Sequence, residues 1–134
     1  MIRYPQLTGH QIGVTAPSSG IPEELHHLLH QAEQKFSDRG FTLQFTPNAW
    51  KQRFGKSAPA RVRAHELTSL FQDDNVDLII PPWGGELLME ILDQIEWQSL
   101  PAKWMLGYSD TSLLLFVYTL KTGIASAHGP NLVD

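Results

Sequence analysis

Apolar residues recur along this chain at two spacings, and the switches between them predict its elements. Ile12 to Ala16 is a short apolar run closed by Pro17-Ser18-Ser19-Gly20, which reads as a strand and a loop. Pro22 suits the first turn of a helix. Leu25, Leu28, Leu29, Ala32 and Phe36 then follow at helical spacing, and Gly40 ends the element. Phe41, Leu43 and Phe45 alternate with polar residues, the pattern of a strand near a sheet edge. Residues 46–57 read as a loop. A second helix is predicted from about Pro59 to Gln72, with Val62, Leu67, Leu70 and Phe71 inward.

Val76 to Ile80 is nearly continuous in its apolar character, as in a strand covered on both faces. Pro81-Pro82-Trp83-Gly84-Gly85 then turns the chain into a predicted third helix carrying Leu87, Leu88, Ile91, Leu92 and Ile95. Pro101 precedes a strand that reaches Leu106. The helix predicted from Thr111 to Lys121 is apolar around much of its circumference, which predicts a central position. Gly123 breaks it, and Ile124 to Ala127 forms a last short strand. Five strands alternating with four helices imply an α/β fold. The sheet is expected to be mostly parallel, with right-handed crossovers and helices on both faces, in the doubly wound, flavodoxin-like manner. Ligands in such sheets collect beyond the carboxyl ends of the strands. Ser18-Ser19, Gly84-Gly85, Ser109 and His128 all fall at that edge.

Composition narrows the function classes. The 134 residues suit one domain, and 42% hydrophobic with 18% charged residues is an ordinary globular balance. No cysteine is present, so disulfides and thiolate-bound metals are excluded, and a reducing, cytoplasmic setting is expected. The longest uninterrupted apolar run, Leu113 to Tyr118, is too short to span a bilayer. A net charge of −4 argues against a general nucleic-acid partner. His26 and His30 stand one helical turn apart beside His27, but no third ligand is suggested by spacing. A solvated helix face is expected rather than a metal site. Lys51, Arg53, Lys56, Arg61 and Arg63 hold half of the chain's basic residues, and a solvated surface is again the expectation.

The chemistry concentrates in Leu106-Gly107-Tyr108-Ser109-Asp110-Thr111-Ser112. A strand ending at Gly107 and a helix starting near Thr111 leave Ser109 on a sharp turn, the geometry of a nucleophile elbow. The helix N-terminus behind it favours an oxyanion. Ser109 and Asp110 are also ordinary helix-capping residues, and the usual elbow has Gly where this chain has Thr111. Gly84-Gly85 reads either as a tight turn or as backbone that lets a substrate carbonyl approach. Ser18-Ser19-Gly20 reads as a cap for the first helix or as an anion-binding loop. His128 follows Ser109 at the same edge, where a base could stand, though a packed strand-end histidine is the commoner outcome.

Gly107-Tyr108-Ser109-Asp110-Thr111 resembles the nucleophile motif of the serine LD-carboxypeptidases, the family that includes the microcin C immunity peptidases. Gly13-Val14-Thr15-Ala16-Pro17-Ser18-Ser19-Gly20 resembles that family's opening strand and loop. Trp83-Gly84-Gly85-Glu86 resembles its glycine pair, and His128-Gly129-Pro130 the end of its first domain. The resemblance implies Ser109 as nucleophile and the N–H groups of Gly85 and Asp110 as oxyanion hole. It implies substrate contacts from Trp83, Gly84, Ser18 and Ser19. Trp83 stands where many members carry arginine. A substrate with a free carboxylate is implied, either a murein tetrapeptide losing D-alanine or a peptidyl-nucleotide, with no cofactor and with homodimerisation inferred from the family alone. The family's Glu and His partners lie in a C-terminal domain, which is expected to be absent from these residues.

Overall fold

Strand β1 (Gln11–Val14) pairs on one side with β2 (Thr42–Phe45) and on the other with β3 (Leu78–Ile80). Strands β4 (Trp104–Gly107) and β5 (Ala127–His128) continue beyond β3, giving the order β2-β1-β3-β4-β5 with every pairing parallel. This is the doubly wound α/β sheet that the spacing predicts, with β2 at an edge. The computed structural model describes residues 1–133.

Strand alternation sorts the side chains into two layers. Ile12, Val14 and Ile80 pack with Leu43 and with Ala32 and Phe36 of helix α1 (His26–Ser37). Ile79 and Met105 face the opposite layer, built from α2 (Ala60–Gln72) and α3 (Thr111–Thr122), where Leu67, Leu70, Phe71, Leu114 and Tyr118 are buried. Gly13 also faces that layer. A Cβ there would lie 2.9 Å from Leu70 Cδ1 and 3.0 Å from Val76 Cγ1, so the close seating of α2 on β1 requires glycine.

Three expectations are corrected. The segment after Gly85 is not an α-helix but a 3-10 stretch, Leu88–Gln94. Leu87 O, just before it, closes a 3-10 turn with the Glu90 N–H at 3.2 Å while also accepting from Arg63, and Leu92 O accepts the Trp97 indole N–H at 3.2 Å. The 3-10 winding stacks Leu88 over Ile91 at three-residue spacing, and both are buried. Helix α3 is not central. Leu114, Leu115 and Tyr118 face inward, whereas Leu113, Phe116 and Leu120 are exposed. The last strand begins later than Ile124, because Ile124 is drawn into a parallel bridge with Arg3.

Away from the strand ends that carry the candidate chemistry, charge closes the fold. Lys103 is buried and donates to the carbonyls of Leu70 and Asp73 at the end of α2. Burial holds its ammonium below the usual lysine value, against the pull of Asp73, Asp74 and Asp77. The Asp77 carboxylate accepts the N–H groups of Gly9 and Thr8 and the Thr8 hydroxyl, tying the N-terminal lead-in to the start of β3. These bonds, Gly9 first, hold its pKa below the ordinary 3.8. A carboxylate depressed in the folded state stabilises above its unfolded pKa, and that contribution is lost as pH falls through the folded one. In urea melts the stability gap between the native chain and Asp77→Asn should therefore be full near neutral pH. It should narrow below about pH 4. A gap independent of pH would contradict this account of Asp77.

Candidate active site

Strand β4 runs directly into α3 through Tyr108-Ser109-Asp110, and the closeness of the two elements forces the turn. A Cβ at Gly107 would lie 2.7 Å from Thr111 Cγ2 and 3.1 Å from Asn131 Oδ1. Asn131, which the sequence reading did not single out, is buried and accepts the Tyr108 N–H at 3.2 Å. Ser109 takes φ 61°, a left-handed conformation that costs a non-glycine residue about 1 kcal/mol or more. Its side chain is exposed at the crest of the turn.

Neither Ser109 nor Asp110 caps α3 with its side chain, contrary to the simpler reading. The first turn is closed by backbone bonds from Ser112 N–H to Ser109 O and from Leu113 N–H to Asp110 O, both 3.0 Å. Both Asp110 carboxylate oxygens are buried without a hydrogen-bond partner among the described residues.

The glycine pair forms the facing wall. A Cβ on Gly84 would lie 3.1 Å from Ser109 Cβ, and one on Gly85, at φ 154°, would lie 2.4 Å from Ser18 Oγ. Together Ser19, Gln52, Trp83, Gly84, Gly85, Tyr108 and Ser109 line a cleft of about 370 Å³. Trp83 lines this cleft, but its indole N–H is itself buried, with no partner among the described residues. The structure thus gathers Trp83, Gly84, Gly85, Ser19 and Ser109 in one cleft, and adds Gln52 and Tyr108.

Ser18 is set apart from the rest. It is buried behind the glycine pair, its hydroxyl accepting the Leu87 N–H at 3.1 Å and its carbonyl the Ser57 N–H at 3.0 Å. It braces the turn and does not line the cleft. Ser19 accepts a hydrogen bond from Gln52 Nε2 at 2.6 Å. Neither serine caps the first helix, which is entered through Pro22 and the 3-10 turn Glu23–Leu25 without a side-chain cap.

The loops are held by a residue first read as solvated. Arg63 has no exposed surface. Its guanidinium donates to Ala58 O at 2.8 Å, Pro17 O at 2.9 Å, Leu87 O at 3.0 Å and Glu90 Oε1 at 3.1 Å. One planar group thereby joins the loop after β1, the segment after β3 and the start of α2. The chain after β5 adds a second tie, since Leu132 and Val133 N–H groups donate to Pro81 O and Pro82 O at 3.0 Å.

His128 ends β5 with its ring exposed and edge-on to Tyr108, 6.4 Å between centroids. It makes no hydrogen bond to Ser109. His26 and His30 both pack against Trp50, and His26 Nε2 also contacts Ile21 O and Trp50 O. His27 and His30 are exposed, as the solvated face expected of them requires, and only His26 is drawn half-buried by its contacts. No group of three potential ligands that could hold a metal occurs among the described residues. The cleft therefore offers an exposed serine hydroxyl and close-approach glycines, but no base in contact with the serine among the described residues.

Arg63→Met should destabilise the fold by about 3 kcal/mol, because the buried carbonyls of Ala58 and Pro17 lose their donor and Glu90 loses its cation, while Leu87 O keeps the Glu90 N–H. Arg63→Lys should recover less than half of that loss, since an ammonium cannot span the same fork. Urea unfolding measures both. An Arg63→Met chain of native stability would show that the clamp is dispensable.

A family model described as the LD-carboxypeptidase N-terminal domain matches residues 12–129. A Vibrio cholerae protein named as a carboxypeptidase is 34% identical over 128 residues, covering 93% of this chain and 38% of that protein. The microcin C7 self-immunity protein MccF of Escherichia coli is 25% identical over 135 residues, covering 99% of this chain and 39% of that one. The structure of MccF in complex with aspartyl sulfamoyl adenosine aligns with a TM-score of 0.88 at 25% identity, over 99% of this chain and 40% of that one. A MccF-like protein from Bacillus anthracis aligns at 0.83 and 26% identity, over 99% and 41%. The chain thus spans about two-fifths of the length of its relatives. On this match and on the sheet that carries it, the chain belongs to the LD-carboxypeptidase family, as its N-terminal domain.

Proposed function

We propose that this chain is the nucleophile-bearing half of a serine peptidase that hydrolyses an amide bond near a free carboxylate. Ser109 carries the reading: an exposed hydroxyl at φ 61° on a strand-to-helix turn, facing Gly84 and Gly85 across one cleft. Its oxygen attacks the amide carbonyl, and the N–H groups of Gly85 and Asp110 stabilise the oxyanion that forms. Collapse of that intermediate expels the amine and leaves an acyl-enzyme, which water hydrolyses. Trp83 and Ser19 are the proposed substrate contacts. The base that takes the Ser109 proton, and the carboxylate that orients it, come from a segment outside residues 1–134. Without them the chain retains only residual catalysis.

Two substrates fit, a murein tetrapeptide losing D-alanine and a peptidyl-nucleotide. The second is supported by the likeness to MccF, whose structure holds aspartyl sulfamoyl adenosine. The lack of a base beside Ser109 also suits a binding domain that takes a small anion at the strand ends without chemistry.

Fusing the C-terminal portion of the Vibrio cholerae relative to this chain separates the readings. The fusion should release D-alanine from the tetrapeptide or cleave the peptidyl-nucleotide. Ser109→Ala should lower that turnover by about a thousandfold or more. A serine-directed phosphonate should add its mass to Ser109 in the fusion and not in the variant. Turnover indifferent to Ser109→Ala would overturn the peptidase reading, as would a folded fusion that Ser109 never labels.

A further inference from the structure

Phe54 stands at the tip of a two-residue turn in a conformation that aromatic residues seldom adopt. Arg53 and Lys56 close the turn by exchanging backbone hydrogen bonds of 2.8 and 3.2 Å, and Phe54 and Gly55 between them have φ 53° and 78°. Asn or Asp usually precedes Gly in such turns, because a short polar side chain tolerates positive φ. Phe54 gains no burial in exchange. It is 83% exposed, with the Arg53 guanidinium 5.1 Å from its ring centroid. A strained aromatic held in water on a closed turn breaks a local rule without a folding benefit, and such breaks collect at functional positions.

The surroundings specify the ligand chemistry. No acidic residue occurs between Asp38 and Glu66 in a chain whose net charge is −4. Lys51, Arg53 and Lys56 rim a groove of about 630 Å³ whose apolar wall includes Phe54, Pro59 and Val62. Lys56 is 3.9 Å from Glu90, a half-exposed pair that leaves the rim positive. Gln52 lines both this groove and the Ser109 cleft, so the two adjoin.

We propose that the groove beside the Phe54 turn is a second recognition site, for an anionic group borne on a planar or aliphatic body. Cation and ring together bind what neither holds alone: the basic rim takes the charge, and Phe54 stacks on the body. Within the peptidase reading, on which this last step rests, the groove holds the part of the substrate remote from Ser109. Phosphate and carboxylate share the required chemistry.

The test titrates phenyl phosphate, and separately phenylacetate, into the isotope-labelled chain and follows amide shifts by NMR. Gln52, Phe54, Gly55 and Lys56 should move, and affinity should fall as salt rises. The tighter of the two probes names the anion. Phe54→Asn should keep or raise the thermal midpoint, since Asn suits the turn, yet weaken binding about fivefold or more. Lys51→Ala with Arg53→Ala should weaken it similarly. Shifts confined to other parts of the chain, or binding unchanged in both variants, would overturn the site. Ser109→Ala should leave this titration unaltered. A peptidase reading lost through the fusion experiment would thus leave the groove standing, and a lost groove would leave Ser109 standing.

Discussion

The site depends on a buried guanidinium. A doubly wound sheet brings the loops after β1 and β3 to the same edge, but it does not hold them there. Each loop has carbonyls that must be satisfied away from water, and an unpaired one costs roughly 1–3 kcal/mol. Arg63 supplies donors to Pro17 O, Leu87 O and Ala58 O from a single rigid plane. Its charge is balanced by Glu90 at 3.1 Å, which keeps a half-exposed side and so limits the cost of burying the pair. The helix α2 that carries Arg63 is itself seated by Gly13, where Leu70 takes the place of a Cβ. Core packing and loop placement are therefore one construction.

On that base two unusual backbone conformations come together. Ser109 at φ 61° and Gly85 at φ 154° stand on the two walls of one cleft, and Ser18 braces the second wall through Leu87 N–H. The strain at Ser109 persists only where surrounding contacts over-determine it. Here those contacts are Asn131 behind Tyr108 and the bonds of Leu132 and Val133 to Pro81 and Pro82. The chain end beyond β5 thus locks both walls, which gives residues outside the sheet a direct part in shaping the cleft.

Much of this was legible in the residues. The two spacings located four of the strands and the three α-helices and placed the fifth strand a few residues early, and the order of motifs pointed to the family that the comparisons establish. Where the reading failed, local propensity was outvoted. Leu87 to Ile95 has helical spacing, but Leu87 O bonds Glu90 N–H and Arg63 together, Leu92 O bonds Trp97, and the segment winds as 3-10. Arg63 reads as one of five surface cations because nothing local distinguishes it from Arg61. Ser18 and Ser19 are neighbours of the same type, yet one is a brace and the other lines the cleft.

The sequence by itself determined the layered α/β class, the parallel order and the strand-end location of Ser109 and the glycines. These follow from hydrophobic period, from glycine and proline punctuation and from chirality, which act over a few residues or a single crossover. The tertiary structure alone decided which polar groups are buried, which cation clamps the loops and that Asp110 leaves α3 uncapped. It also decided that an exposed, strained Phe54 stands beside the cleft. Those outcomes depend on contacts between residues up to 69 positions apart, as in the bond from Leu87 N–H to Ser18 Oγ. No window along the chain contains both partners.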